Sequence, residues 1–207
     1  MRRTFFSLLA FAAFGLSTPA AAQFPSEVSF FGTLPKTKDD TAVNLATSLK
    51  FDSGRGGGVA LGGRFGFVGV ELSAFYLRFD GMTRVNGTDV LDLGALDLVP
   101  ISVVASFHPL KDSIVDPWVG VGGAYVIGRD LMSDDLDTAG IGDVELKSKA
   151  ALVANVGVAV KFSSSVAIVV DGRYIPLEMD STPVNGGVTQ KLELNPLLLS
   201  AGLRVSF

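Results

Sequence analysis

The sequence contains no cysteine. Disulfide bonds, zinc–thiolate sites and cysteine nucleophiles are therefore excluded, and the fold must be held by hydrogen bonds and packing. Charged residues make up only 18% of the chain, and 21 acidic side chains outnumber 17 basic ones. This balance argues against nucleic acid as a partner. We predict no cofactor and no metal site.

Long apolar runs are also missing. Beyond the amino-terminal segment, no stretch approaches the ~18–20 consecutive apolar residues that a membrane helix needs. Yet 48% of the residues are hydrophobic, and 24 glycines disfavour a helical bundle. High hydrophobicity without a helical span leaves a large soluble β-core, or a barrel whose apolar residues are spread over alternating strands.

The amino terminus has the pattern of a secretory signal peptide. Arg2 and Arg3 precede an apolar segment at 5–16, and small residues follow at 17–22. We predict cleavage after Ala22, which gives a signal peptide at 1–22 and a barrel domain at 23–207. The mature chain then carries 15 basic and 21 acidic residues. The expected compartment is the outer membrane of a Gram-negative bacterium.

The rest of the chain alternates between apolar and small or polar residues. At the carboxyl end Leu199, Ala201, Leu203 and Val205 share one face of a strand that ends on Phe207. Eight such strands are predicted: 27–34, 56–65, 68–79, 96–108, 117–128, 147–162, 166–176 and 192–207.

The connections between these strands alternate in length. They are long and polar after the first, third, fifth and seventh strands, including 80–94, 129–146 and 177–190, and short after the others. Segment 42–51 is either an arm of a loop hairpin or an extension of the second strand. Each strand is close to the ~9–11 residues that a tilted membrane strand needs. The pattern predicts an all-β fold, an eight-stranded antiparallel transmembrane β-barrel with both termini in the periplasm.

Three stretches resemble the outer-membrane protein W (OmpW) family. They are 98–109, with a proline in the strand and an aromatic-His turn; 117–125, which reads PWVGVGGAY; and 171–176 followed by 192–196. The similarity runs from about Val59 to Phe207. The chain departs from the family in its first loop and in its ending Val-Ser-Phe, where Tyr-Arg-Phe is usual. The resemblance implies a narrow, largely apolar channel for small hydrophobic compounds, which leave sideways into the membrane.

The alternation also predicts what fills the barrel. Polar side chains on the inward set should gather in the periplasmic half, pair with one another, and act as a structural plug or as a gate. They are Arg64, Glu71, Lys161, Asp171, Arg173 and Arg204. Apolar inward side chains should line or fill the upper lumen. They are Phe31, Phe75, Leu77, Val126, Val153 and Leu198.

Other motifs carry little chemistry. His108 is the only histidine; it stands at a predicted periplasmic turn, on the side of the membrane away from lipid A, so we predict no enzyme activity. Segment 54–58 is rich in glycine but lacks the Gly-Lys-Ser/Thr of a phosphate loop. The acidic loop at 129–146 matches no EF-hand spacing. We interpret it as solvated, with contact to divalent cations or lipopolysaccharide as the alternative.

Two functions from different classes remain open. One is the channel; the other is a non-transporting structural or surface-adhesion barrel (OmpX-like) acting through its extracellular loops. Expected partners are outer-membrane lipid and lipopolysaccharide, small hydrophobic solutes, and the barrel-assembly machinery, for which terminal Phe207 resembles the recognition signal. The apolar set changes from odd to even positions above Pro196, which we interpret as a bulge or as the strand leaving the membrane.

Overall fold

The computed structural model describes residues 24–37, 41–42, 47–51, 54–85, 88–110, 113–129, 144–183 and 190–207. The predicted signal peptide lies outside these residues. Among the described residues, no helix is long and apolar enough to cross a membrane.

The described residues form thirteen strands. In chain order they are β1 (Glu27–Lys36), β2 (Thr41–Ala42), β3 (Thr47–Phe51), β4 (Arg55–Phe65), β5 (Val68–Val85), β6 (Thr88–Phe107), β7 (Val115–Gly128), β8 (Val144–Leu146), β9 (Lys149–Lys161), β10 (Val166–Tyr174), β11 (Glu178–Pro183), β12 (Gln190–Glu193) and β13 (Leu197–Ser206).

Eight of these strands of the described chain close into an antiparallel barrel. Their order around the wall is β1, β4, β5, β6, β7, β9, β10 and β13, and β13 returns to β1 over ten residue pairs from Glu27–Ser206 to Lys36–Leu197. Closure leaves no free sheet edge in the spanning region, which a wall in lipid requires. The eight-stranded barrel predicted from the alternation is confirmed.

The two faces of the wall differ as the alternation predicts. Exposed apolar side chains cover the outside, among them Leu72, Val103, Val121, Leu152, Val156, Val170, Leu199 and Leu203. Phenylalanines surround the short-turn end on the outside (Phe65, Phe67, Phe107 and Phe162), and three exposed tyrosines (Tyr76, Tyr125 and Tyr174) stand toward the opposite end. Such aromatic girdles mark the two interfaces of a membrane barrel. The long connections lie at the tyrosine end, which is therefore the outer one.

The prediction of a long loop at 80–94 is wrong. β5 continues to Val85 and β6 starts at Thr88, so the two strands form one long hairpin around Asn86 and Gly87. The register of the pair shifts at 81–82 and 83–84. Asn-Gly is a strong signal for a tight hairpin turn, and strands above the membrane no longer need an apolar outer face.

The prediction that 177–190 is a loop is wrong in its described part. β11 and β12 pair with each other, and β11 also pairs with β8, which gives a small sheet above the barrel. The end of the predicted loop at 129–146 is likewise strand β8, while 130–143 lie outside the described residues.

Segment 42–51 combines both predicted roles. β2 and β3 form a hairpin, and β3 pairs with residues 81–85 of β5, directly above the stretch of β5 that pairs with β4. β3 is therefore a hairpin arm that extends the line of the second barrel strand.

The register does not slip at Pro196, so of the two sequence-based interpretations the bulge is wrong and the strand leaving the membrane agrees with the structure. The ladder of β10 with β13 and that of β11 with β12 keep one register, from Tyr174–Leu197 to Glu178–Glu193. Leu192 and Leu194 are buried on the inner side, as is Leu198 below them. The apolar residues change sides because the chain leaves lipid, whereas the phase of the strand stays the same.

Candidate functional site

The upper interior of the barrel is apolar. All six side chains predicted to line it are buried, and the aromatic rings of Phe31 and Phe75 lie 5.7 Å apart, centroid to centroid. Further buried apolar side chains continue this zone upward. They are Phe79, Leu96, Leu98, Ile175, Leu177, Met179, Leu192 and Leu194. We call these fourteen side chains the upper zone.

Arg173 lies below the upper zone and is only 1% exposed. Its Nη2 donates to Glu71 Oε1 at 2.8 Å and lies 3.4 Å from Asp171 Oδ1. Its Nη1 donates to the hydroxyl oxygens of Ser73 at 2.6 Å and Ser102 at 3.1 Å. Because these partners come from β5, β6 and β10, one guanidinium ties opposite parts of the wall together across the lumen.

Two further contacts complete this layer, which we call the floor. The Phe75 ring lies 5.0 Å from the guanidinium carbon of Arg173, a cation–π arrangement in which the lowest aromatic of the upper zone covers the charge. Asn155 Nδ2 donates to Asp171 Oδ2 at 3.1 Å. The floor therefore consists of Arg173, Glu71, Asp171, Asn155, Ser73 and Ser102, and its two carboxylates share the one guanidinium.

A second polar layer lies at the periplasmic end and is centred on Asp116. This carboxylate is fully buried, pairs with Arg64 Nη2, and lies 4.0 Å from Arg204 Nη1. Arg204 also reaches Glu27 Oε1 at 3.5 Å, and its guanidinium carbon lies 5.0 Å from the Trp118 ring. The predicted polar cluster is thus two layers, with Glu71 and Asp171 in the upper one and Arg64 and Arg204 in the lower.

His108 belongs to this lower layer and is buried rather than a solvated turn residue. Its Nδ1 lies 3.0 Å from Asp116 Oδ1 and its Nε2 lies 2.9 Å from Ser106 Oγ, while its ring stacks on Trp118 at 5.8 Å. Gly157 makes room for Trp118, because a Cβ there would lie 2.2 Å from the indole.

Ser106, His108 and Asp116 thus have the hydrogen-bond connectivity of a hydrolytic triad. Their surroundings do not suit catalysis. The space lined by Ser106 and His108 is about 10 Å³, which holds one water molecule and no substrate. Arg64 and Arg204 also share the same carboxylate. The group is better explained as a hydrogen-bonded structural layer.

Lys161 borders the lower layer at the periplasmic mouth. It lines a cavity of about 220 Å³ at the periplasmic mouth, together with Arg64, Arg204, Ser163 and Ser206. Phe207 is 70% exposed on the outside of the same end, and its backbone N–H donates to the Ser26 carbonyl at 3.0 Å.

Sequence reasoning missed Asp116, His108 and Glu27 as members of the lower layer. Glu27 falls on the inward set of the first strand, so its alternation could have revealed it. The predicted turn at 109–116 contains Asp116 and directly follows His108. In a turn, the alternation of a strand does not indicate which side chains face inward. The described β7 already starts at Val115, which places Asp116 inside the barrel.

The barrel wall is interrupted at one height among the described residues. The ladder between β9 and β10 ends at the Ala154–Tyr174 pair. The two segments meet again only higher up, where the Lys147 N–H donates to the Asp180 carbonyl at 3.2 Å and Leu146 pairs with Ser181. Pro176 stands in this interval and has no N–H to donate. Ile175 and Leu177, on either side of it, are buried. We call the interval between 148–153 and 175–179 the wall gap.

A closed antiparallel barrel with an apolar outer band between aromatic girdles defines an outer-membrane β-barrel protein. The model of the OmpW family matches residues 39–207. The chain belongs to the OmpW family, and it is an outer-membrane protein.

Individual relatives agree with this assignment. Outer membrane protein AlkL of Ectopseudomonas oleovorans is 29% identical over 178 residues, which cover 85% of this chain and 72% of that protein. The crystal structure of OprG from Pseudomonas aeruginosa has a TM-score of 0.72 at 17% identity and covers 89% of this chain and 97% of its own. The solid-state NMR structure of AlkL in DMPC bilayers has a TM-score of 0.59 at 21% identity, covering 94% and 97%. At these identities the two structures show the fold alone.

Proposed function

We propose that the protein is a narrow channel for small hydrophobic compounds, which enter the barrel from outside and leave sideways into the membrane. The observation that carries this proposal is the division of the interior into an apolar upper zone and a charged floor. An apolar solute is favoured in the upper zone, because burial there removes its surface from water. It is disfavoured at the floor, where it would break paired charges.

Passage through the upper zone requires its side chains to move. Leu77, Leu98 and Met179 are 0–1% exposed, so a solute passes only by displacing them. Met179 is unbranched and adaptable. The space is also bordered by the wall gap rather than by a complete ladder.

The wall gap supplies the sideways route. It stands at the height of the upper zone, above the floor, and the buried side chains of Val153, Ile175 and Leu177 lie behind it. An exit at this point opens at the outer boundary of the apolar band, just above Tyr174 and beside the exposed Leu152, so the solute never contacts Arg173.

Ala151 provides the test. It packs against the buried core, pairs with Ala124 across the β7–β9 ladder, and stands in the wall gap. We expect Ala151→Trp to block the route and to reduce uptake of a small radiolabelled hydrophobic solute by a deletion strain that expresses it. The measurement is the initial uptake rate, normalised to folded protein in the outer membrane.

Ala154→Trp is the matched control, because Ala154 is on the same strand but faces lipid and is exposed. It should support uptake like the wild type. Equal uptake by the wild type, Ala151→Trp and the deletion strain without the gene would contradict the channel.

Close packing of the upper zone favours a second candidate, a structural or surface barrel that transports nothing. In that case the small sheet of β8, β11 and β12 and the hairpin of β5 and β6 would present the binding surface. Removal of the tip of the β5–β6 hairpin would then abolish binding of the barrel to its partner at the cell surface and leave solute uptake unaffected. Ala151→Trp would change neither the binding nor the uptake.

A further inference from the structure

A row of basic side chains crosses the outside of the barrel just above the tyrosine girdle. Arg78 is two residues beyond Tyr76 on the outward set of β5, and Arg55 is its direct cross-strand partner on β4. Arg129 follows β7, and its N–H donates to the carbonyl of Asp97 on β6 at 2.9 Å. Asp97 in turn pairs with Arg78 across the β5–β6 ladder.

The height of this row follows from strand geometry. Arg78 lies ten residues along β5 from Val68, which is at the short turn. Arg55 lies ten residues along β4 from Phe65, the cross-strand partner of Val68. Ten residues at about 3.3 Å each, tilted by roughly 40°, rise about 25 Å. This equals the thickness of the apolar band of an outer-membrane barrel, so the arginines stand at the outer headgroup level.

The row has more positive than negative charge. Two carboxylates, Asp97 and Asp80, lie near its four cations. Asp97 accepts a hydrogen bond from Tyr76 at 2.7 Å and lies 4.0 Å from Arg78 Nε. Asp80 stands two residues above Arg78 on the same face, and Lys36 is exposed at the outer end of β1. Among the described residues, no carboxylate forms an ion pair with Arg55 or Arg129.

Arg55 and Arg78 are like charges placed directly opposite each other, an arrangement that is unfavourable on its own. An anion between them removes the repulsion. Phosphate fits best, because guanidinium groups bind it through paired, charge-assisted hydrogen bonds. Both side chains are exposed on the outside of the wall at the headgroup level, where the phosphates of the outer leaflet lie.

We propose that Arg55 and Arg78, flanked by Arg129 and Lys36, bind a phosphate of lipid A in the outer leaflet. The inference rests on the outer-membrane location and is independent of channel activity. It gives the barrel a fixed contact with its own lipid at the outer rim of β4 and β5.

The test uses the full mature protein in phosphatidylcholine nanodiscs that contain lipid A, with retained lipid counted by native mass spectrometry. Wild type should retain lipid A, and Arg55→Gln/Arg78→Gln should bind it at least about tenfold more weakly, because each charged hydrogen bond is lost. Arg55→Lys/Arg78→Lys should fall between the two, since it keeps the charge and loses the paired geometry. Lys191→Gln is the matched control: its side chain is 74% exposed on β12, and its variant should bind like the wild type.

Three arms identify the source of the anion. Lipid A without its phosphates and phosphatidylglycerol should each bind more weakly than lipid A, and inorganic phosphate at millimolar concentration should not displace lipid A. Equal retention by wild type and Arg55→Gln/Arg78→Gln overturns the proposal. So does equal binding of dephosphorylated lipid A or phosphatidylglycerol, or displacement by inorganic phosphate. The heat-induced shift of the folded barrel on gels shows whether each variant is folded. Because the substituted side chains are exposed, their replacement removes no packing contact in the barrel interior.

Discussion

Arg173 shows how one side chain can close a barrel. It is buried, and its guanidinium nitrogens contact β5 at Glu71 and Ser73, β6 at Ser102, and its own strand at Asp171. In a low-dielectric interior, such a group is stable only while its carboxylate partners remain ionised and in place. Glu71 and Asp171 therefore depend on Arg173 as much as it depends on them.

Arg173→Met should be strongly destabilising, because it leaves two buried carboxylates without a cation. We expect a loss of about 3–5 kcal/mol, measured by urea unfolding of the protein in lipid vesicles. The triple variant Arg173→Met/Glu71→Gln/Asp171→Asn should recover most of this loss, since no net charge remains buried. If the single and triple variants were equally unstable, the charge pairing would not be what stabilises the floor.

At the same scale, the sequence predicts inward polar residues wherever alternation is continuous. The structure places five of the six polar residues of that set in the two polar layers; they are Arg64, Glu71, Asp171, Arg173 and Arg204. Their partners could not be chosen from the sequence, because pairing depends on strands that are distant along the chain. Arg64 binds Asp116, 52 positions away. The sequence predicted a turn at Asp116, so it gave no sign that this side chain faces the lumen.

At the scale of elements, the interrupted strands determine the shape of the outer barrel. β10 and β13 stop at the same level, and residues 175–177 and 194–196 connect them to β11 and β12. Asn195 has φ +38°, and its Oδ1 accepts the Leu177 N–H at 2.9 Å. Asparagine tolerates this left-handed conformation and supplies the acceptor in place of a ladder bond.

Asn195→Val should disconnect the small sheet from the barrel. A β-branched residue is strained at positive φ, and the side-chain acceptor is lost as well. We expect faster hydrogen exchange for the amides of β11 and β12, with those of β13 still protected. Asn195→Gly is the control: it relieves the strain and loses only the acceptor, so its effect should be smaller. Uniform loss of protection in β12 and β13 would show that the two strands open as one unit.

The sequence-based prediction of elements worked in the membrane and failed above it. In lipid, the outer face must be apolar, so alternation locates the strands. Above the Tyr76 level this requirement disappears, and β5, β6, β11 and β12 continue with polar sequences that have the composition of loops. The turn signal at Asn86-Gly87 was visible, but it does not report how long the flanking strands are.

At the scale of the whole molecule, the two polar layers close the lower lumen. Arg173 spans it at the floor, and Asp116, Arg64, Arg204 and Trp118 occupy it below. An eight-stranded barrel is only wide enough for its side chains to fill the interior. We therefore expect no continuous aqueous path beside these groups.

The purified protein in planar bilayers should show no large, stable single-channel conductance for hydrophilic ions. The measurement is current at fixed voltage in concentrated potassium chloride, with a general porin inserted in the same membrane as a positive control. A steady open level comparable to that of the porin would mean that the floor opens, and would contradict a route that ends sideways.

The pairing of β1 with β13 has a consequence for biogenesis. It joins Val28 to Val205, residues far apart in the sequence, so closing the barrel requires contacts of high sequence separation. Topologies of high contact order fold slowly, and until closure both end strands expose unpaired backbone that invites association with other chains. The time spent between export and closure, rather than the strength of the finished wall, is therefore the stage at which this polypeptide is most vulnerable to aggregation and proteolysis.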